Sequence, residues 1–324
     1  MKLPLRPQEK GGRLAVLLLL LLLLPMYWMR TAAAETFALN SGDRVVLLGA
    51  TFVEREYRYG IIETLLTAQF HDAGLLFRNY AWSGDTVTGI ARSGFETEKE
   101  GYERLLARVG EAEPTVILMS YGQNESFEGA AGLEKFTTDL ERLLSDLTKI
   151  TPRIVLISPT LQENLGAPLP DPAAHNADIR LYTEALAKIA SARGLHFVDM
   201  TALMPVSPDV TATPLTDNGL HFTEEGYWHA AAALMKGLGY EAAAPDRERL
   251  APLRAAIVEK NRLFFNVWRA QNDTYIYGFR KYEQGRFQEE VPLFLPLVAA
   301  QEERIASLCK ELFGVDQPVG LGTP

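Results

Sequence analysis

Thr115-Val116-Ile117-Leu118-Met119-Ser120-Tyr121-Gly122-Gln123-Asn124-Glu125 is the stretch that decides the fold. Five apolar or β-branched residues run without alternation into a polar turn. A short apolar run closed by turn residues reads as a strand buried on both faces, the kind found in parallel sheets covered by helices on either side. Working outward, four more runs have the same form: Val45–Leu48, closed by Gly49; Leu75–Phe77, ending in Arg78-Asn79; Arg153–Ile157; and His196–Asp199. Between them lie stretches with helical spacing: Glu56–Phe70, through Tyr59, Ile62, Leu65, Leu66 and Phe70; Glu98–Val109; Leu133–Leu147; and Ala173–Ala192. A last helix is expected over Thr223–Leu238. Strict alternation with short connections predicts a three-layer α/β domain with a five-stranded parallel sheet over residues 35–240.

In such sheets ligands sit beyond the carboxyl ends of the strands. Three polar turns fall at those ends: Leu48-Gly49-Ala50-Thr51, Trp82-Ser83-Gly84-Asp85 and Tyr121-Gly122-Gln123-Asn124-Glu125. A fourth segment, Pro214–Thr223, places His221 after Asp217-Asn218-Gly219 and just before a helix opened by Thr223-Glu224-Glu225-Gly226. A histidine on such a loop can face a cleft while a neighbouring carboxylate fixes its tautomer. Each candidate also has a plainer reading. Thr51 can cap the segment after the first strand, Gly84 can serve only its turn, and Asp85 can cap the next helix. Asn124 can hold its own loop, and it opens the nominal glycosylation sequon Asn124-Glu125-Ser126. His175, His196 and His229 read as structural.

The four blocks in this order resemble the SGNH (GDSL-like) hydrolase superfamily over roughly Asp43–Leu238. The resemblance implies a flavodoxin-like fold and hydrolysis of esters that include acylated sugars and lipids; no cofactor is expected. It carries the family's oxyanion-hole glycine onto Gly84, its asparagine onto Asn124 and its histidine onto His221. Two positions depart. The family's Gly-Asp-Ser is Gly49-Ala50-Thr51 here, so the nucleophile position holds a threonine, whose hydroxyl is competent but whose β-branching restricts its rotamers. Three residues before His221 stands Asn218 in place of aspartate, and Asp217 stands one residue further away; either can orient the ring. Glu54, Arg55, Ser83, Asp85 and Glu125 lie close enough in sequence to reach the same mouth. Glu54 or Glu125 acting as general base on a water is a second mechanism open at this point.

The chain has 324 residues, 47% of them hydrophobic, ample for one large core and an appendage. Residues 1–34 read as a signal peptide: Lys2, Arg6, Lys10 and Arg13, then the apolar run Leu14–Leu24, then Ala32-Ala33-Ala34. An uncleaved N-terminal anchor is the alternative, because Pro25–Met29 lengthens the apolar run. Cleavage removes five basic residues and one acid and takes the formal charge from −9 to −13. So acidic a chain argues against nucleic acid as partner. The single cysteine, Cys309, excludes an intramolecular disulfide, and no Cys/His cluster has metal-ligand spacing. Residues 241–324 read as a helical extension packed on the main domain, with Asp246–Trp268 and Val298–Phe313 as helices and Pro292 and Pro296 as breaks. Its aromatics read first as core contacts; a cap presenting Trp268, Tyr275 or Tyr277 to substrate is the sharper alternative. The expected protein is a secreted or periplasmic, metal-independent ester hydrolase acting on a small-molecule or glycan ester. The alternative is a catalytically silent domain that binds a glycan or a protein in the same cleft.

Overall fold

Five strands, β1 (Arg44–Gly49), β2 (Leu76–Asn79), β3 (Val116–Ser120), β4 (Ile154–Ile157) and β5 (His196–Val198), form one parallel sheet in the order β2-β1-β3-β4-β5. This computed structural model describes residues 36–206, 213–241, 245–269, 273–276, 278–283 and 287–314. The expected leader and its cleavage site lie outside those residues, as do Tyr277 and Ala242–Ala244, the first three residues of Ala242-Ala243-Ala244-Pro245, which the sequence suggests as a linker between the main domain and the extension. The strand order is that of flavodoxin-like sheets, in which the chain reverses direction across the sheet between β1 and β3 and leaves a crevice at their carboxyl ends. Gly49 pairs with Ser120 in register, so the turns after β1 and β3 open at the same level.

Alternate strand residues feed two cores. Val45, Leu47, Leu118 and Val155 face the side covered by α2 (Ile61–Gln69) and α7 (Glu224–Gly237). Val46, Leu48, Ile117 and Leu156 face α3 (Glu98–Glu111), α4 (Gly129–Ile150) and α5 (Ala173–Arg193). Burial on both faces is the reason the central strands β1, β3 and β4 read as unbroken apolar runs. A short helix, α6 (Met200–Leu203), follows β5 and is capped by Asp199, whose carboxylate accepts from the Ala202 N–H at 3.1 Å.

The helix expected over Glu56–Phe70 is two helices. α1 (Thr51–Tyr59) begins directly after β1, with Ala50 as N-cap, and ends at Gly60, from which α2 starts. Gly60 adopts φ 62°, and a Cβ there would stand 3.0 Å from Ile257 and Val258 side chains, so a glycine is required both to turn the chain and to admit the neighbouring helix. That neighbour is α8 (Arg247–Trp268), which packs on α1, α2 and β2. Two short helices, α9 (Asp273–Ile276) and α10 (Phe287–Glu290), precede α11 (Phe294–Phe313), which lies along α8. α11 starts ahead of Pro296 instead of after it, because a proline in a helix's first turn removes an N–H that has no partner there.

α8 is tied to α2 by a buried ion pair and to β2 by one hydrogen bond from the same lysine. Lys260 Nζ donates to Glu63 Oε1 at 2.6 Å and to the Phe77 carbonyl at 3.2 Å, and Asn261 Nδ2 donates to Glu63 Oε2 at 3.1 Å. Trp268 at its end is buried against Tyr80 and Trp82, with ring centroids 5.3 and 5.7 Å away. The Arg280 guanidinium lies over the Tyr275 ring, 4.4 Å from its centroid. No helix among the described residues is long and apolar enough to cross a membrane.

Candidate active site

The turn after β1 is built around Gly49, at φ 150°. A Cβ there would stand 2.2 Å from the Ser120 carbonyl oxygen, so only glycine lets β1 run this close to the end of β3. Ala50 N–H donates to that same carbonyl at 3.3 Å. Thr51 is then the first residue of α1, and its Oγ1 accepts the Gly84 N–H at 3.2 Å. The loop carrying Gly84 is fastened to the β1 turn by the Trp82 N–H, which donates to the Gly49 carbonyl at 2.9 Å. The Thr51 hydroxyl therefore sits at the positive end of a nine-residue helix with a second backbone donor beside it, a setting that favours developing negative charge.

The flanking polar residues are mostly committed to holding loops. Glu54 is buried and accepts from the Ser83 N–H at 2.9 Å, from the Ser83 hydroxyl and from the Arg269 guanidinium. Arg269 in turn lies over the Trp82 ring, 3.5 Å from its centroid. Asp85 is fully buried. It accepts from Arg92 Nε at 2.8 Å, the Ala91 N–H at 3.2 Å and the Tyr121 hydroxyl at 3.2 Å, which places it beneath the cleft and not at its mouth. Asn124 Nδ2 donates to the Asp85 carbonyl at 2.6 Å; a primary amide has a second hydrogen to offer. Glu125 accepts from the Val87 N–H at 3.0 Å and the Gly122 N–H at 2.9 Å. Desolvation outweighs those bonds and pushes its pKa up to about 7.

Ser126, the third residue of the sequon, is fully buried; its hydroxyl donates to the Gln123 carbonyl at 2.8 Å and lies 2.9 Å from His175 Nε2. His175 Nδ1 in turn meets Gln162 Oε1 at 2.9 Å. The spacing is that of a serine–histidine pair, but a hydroxyl with no exposed surface cannot meet substrate. The chain of bonds braces the Asn124 loop against α5.

His221 occupies a tight loop closed by the Thr216–Phe222 bridge and by the Asp217 N–H, which donates to the His221 carbonyl at 2.9 Å. Glu163 anchors it from the loop after β4: its carboxylate accepts from the Leu215 N–H, the Thr216 N–H and the Thr216 hydroxyl, and its own N–H donates to the Gly219 carbonyl at 2.8 Å. Asn218 Oδ1 accepts from the N–H groups of Leu220 at 3.1 Å and His221 at 2.9 Å, and Asn218 Nδ2 lies 3.1 Å from His221 Nδ1. Asp217 is engaged elsewhere. Its Oδ2 accepts from Arg55 Nη2 at 3.1 Å, and its Oδ1 stands 4.0 Å from His221 Nδ1, outside hydrogen-bond distance. Burial, followed by the nearby Arg55 charge, lowers the imidazole pKa, with Asp217 opposing.

Residues adjoining Thr51 and His221 hold α1 and the histidine loop together. Arg55, one turn beyond Thr51, bonds Asp217; the Phe52 and Phe222 rings meet edge to face at 5.6 Å; and the Tyr227 hydroxyl donates to the Phe52 carbonyl at 2.7 Å. Gly84 meets Thr51 directly, and Asn124 reaches the same loop through Asp85. All four polar segments singled out in the sequence thus adjoin at one end of the sheet. Two residues that tie them, Glu163 and Arg269, were not anticipated: the first lies in an irregular Pro-rich loop, the second in the C-terminal extension, and neither belongs to a pattern. Beside Ser83 opens a groove of about 1110 Å³ whose walls include Trp82, Phe95, Phe265, Trp268, Phe279 and Arg58. Among the described residues no three His, Cys, Asp or Glu side chains are grouped to hold a metal ion.

The GDSL-like lipase/acylhydrolase family model matches residues 49–229, more than half of the chain and the part that carries all four polar segments. No curated protein matches the chain. Among solved structures, the chain is similar to Axe2, an acetylxylan esterase from Geobacillus stearothermophilus, at 18% identity and a TM-score of 0.47, over 62% of this chain and 96% of that one. It is similar also to a protein assigned as a GDSL-like lipase from Parabacteroides merdae, at 18% identity and a TM-score of 0.49, over 63% of this chain and 99% of that one. With its strand order, its turns at the carboxyl ends of β1, β2 and β3 and its matching span, the chain belongs to the GDSL-like lipase/acylhydrolase family.

Proposed function

We propose that this protein is a secreted hydrolase of carboxylic esters, most specifically one that deacylates a carbohydrate, with Thr51 as nucleophile and His221 as general base and acid. The observation that carries the reading is the Thr51 hydroxyl at the helix N-terminus with the Gly84 N–H upon it. In the reaction, Thr51 Oγ forms a bond to the ester carbonyl carbon while its proton passes to His221 Nε2. The carbonyl electron pair moves onto oxygen, held by N–H groups near Thr51 and Gly84 and by the free amide hydrogen of Asn124. Collapse breaks the ester C–O bond, and the imidazolium gives its proton to the departing alcohol. Water repeats the sequence on the threonyl ester and releases the acid.

Glu54 and Glu125 are positioning groups in this reading, since every carboxylate oxygen of both already accepts a hydrogen bond. Secretion is supported by the basic, apolar and small-residue layout of residues 1–34. A carbohydrate is supported by the exposed Phe95 and Phe279 rings in the wall of the groove beside Ser83, which offer flat apolar surfaces to sugar rings. A second reading, a silent domain that binds a glycan in the same cleft, is favoured by one feature: His221 is bonded to an amide and not to a carboxylate.

The test is hydrolysis by the full chain of aryl esters of increasing acyl length and of acetylated xylan. Turnover of short acyl esters, with acetate release from the polymer, is the expected result. Absence of turnover on every ester, with retained binding of the deacylated glycan, favours the silent domain.

A further inference from the structure

The orientation of the Asn218 amide is set by its surroundings. Its Oδ1 accepts two backbone N–H groups, those of Leu220 and His221. A flipped amide would bring its NH2 against both donors, so the oxygen stays there and the NH2 is the half that faces His221. That NH2 lies 3.1 Å from His221 Nδ1. An amide NH2 can only donate, so the ring nitrogen facing it must accept, and a neutral imidazole that accepts at Nδ1 carries its hydrogen at Nε2. The neighbouring Asp217 carboxylate does not reverse this, because it stands 4.0 Å from Nδ1 and is held by Arg55.

With an aspartate at the same place, the backbone N–H groups would occupy one oxygen and the other would accept from Nδ1–H, leaving Nε2 bare as a base. An asparagine reverses the polarity of that single bond while keeping the loop unchanged. We propose that Asn218 is a positioning residue that locks neutral His221 in the Nε2–H tautomer, so that the resting cleft presents a hydrogen-bond donor there and not a base. Base catalysis then proceeds through the minor tautomer, and Asn218→Asp converts the site into a faster hydrolase. The kinetic half of this inference rests on the hydrolase reading; the tautomer does not.

The experiment is long-range proton–nitrogen correlation NMR on the 15N-labelled full chain, at about pH 8, where an unperturbed histidine is neutral. A His221→Gln sample identifies the ring's signals among the five histidines. The expected spectrum has Nδ1 as the unprotonated nitrogen in the wild type and Nε2 as the unprotonated nitrogen in Asn218→Asp. A wild-type spectrum with Nε2 unprotonated overturns the proposal, and this sample decides even if the variant does not fold. Aryl acetate hydrolysis by Asn218→Asp is expected to rise by at least roughly 10-fold. The ceiling is about 10⁴-fold, the loss that the opposite exchange beside a catalytic histidine causes in a serine protease. A reversed tautomer without hydrolysis in either protein upholds the tautomer and refutes the hydrolase reading; hydrolysis that falls in a variant whose tautomer has reversed overturns the kinetic half.

Discussion

Lys260→Met is expected to be among the most damaging single changes outside the cleft. Lys260 is 1% exposed and Glu63 is 3% exposed, on helices separated by 197 positions in the chain. The substitution keeps the volume of the stem but leaves Glu63 with Asn261 as the partner of its carboxylate and removes a donor from the Phe77 carbonyl. Breaking a buried pair by removing one partner costs about 3–5 kcal/mol, because the surviving charge is left desolvated. At roughly 2–4 °C per kcal/mol, as for domains of 150–250 residues, the melting temperature drops by the order of 10 °C. Replacing both members, Lys260→Met with Glu63→Leu, removes the stranded charge, and such replacements are neutral or stabilising by about 1–4 kcal/mol relative to the pair. Urea denaturation of wild type, both single variants and the double variant, followed by circular dichroism, measures the coupling as a double-mutant cycle. A single-variant loss below about 1 kcal/mol, or a double variant as unstable as the two losses added, would refute the binding of α8 to α2 through this pair.

Gly49→Ala forces a Cβ into the Ser120 carbonyl at a φ that L-residues rarely adopt; at least about 3 kcal/mol of stability is expected to be lost, read from the urea midpoint. Glu163→Ala frees the Leu215 and Thr216 N–H groups and the Thr216 hydroxyl. It should lower kcat for aryl esters by roughly 10-fold or more, through misplacement of His221, while far-ultraviolet circular dichroism is unchanged. Glu125 has its folded pKa raised to about 7 by burial, above its ordinary value of 4.5. Its contribution is therefore fully present below about pH 4.5 and lost as pH climbs through about 7. Glu125→Gln turns an amide NH2 toward the Val87 or Gly122 N–H and costs roughly 1–3 kcal/mol. Its urea midpoint should change less between about pH 5 and pH 8 than that of the wild type, and an equal change in the two proteins would exclude Glu125 as the titrating group.

The sheet was legible because its three central strands are buried on both faces, so Val45–Leu48, Val116–Met119 and Ile154–Ile157 carry no polar interruption. The segments that would adjoin were legible for a related reason: in a parallel sheet all carboxyl ends point one way, and the polar turns stood at those ends. The break at Gly60 was not, since one glycine inside a helical spacing is compatible with a continuous helix until α8 is known to pack against it. The start of α1 at Thr51 escaped for want of a capping side chain, as Ala50 has none. Atomic pairings were the least legible. Asp217 and Asn218 are adjacent and differ by one atom type, and what separates them is Arg55, 162 positions away, which draws the aspartate aside. Glu54, adjacent to Arg55 in sequence, bonds instead to Ser83 and Arg269. Such choices depend on which distant residue arrives, and no local spacing encodes that.

The most direct test of the central claim is aryl acetate hydrolysis by the full chain, with Thr51→Ala and His221→Ala measured in parallel once each is known to be folded. Turnover by the wild type and loss of at least roughly 10²-fold in both variants are the expected results. Turnover that survives Thr51→Ala but not His221→Ala would replace the threonine nucleophile with an activated water, and turnover that survives both would contradict the assignment of this cleft as the catalytic site.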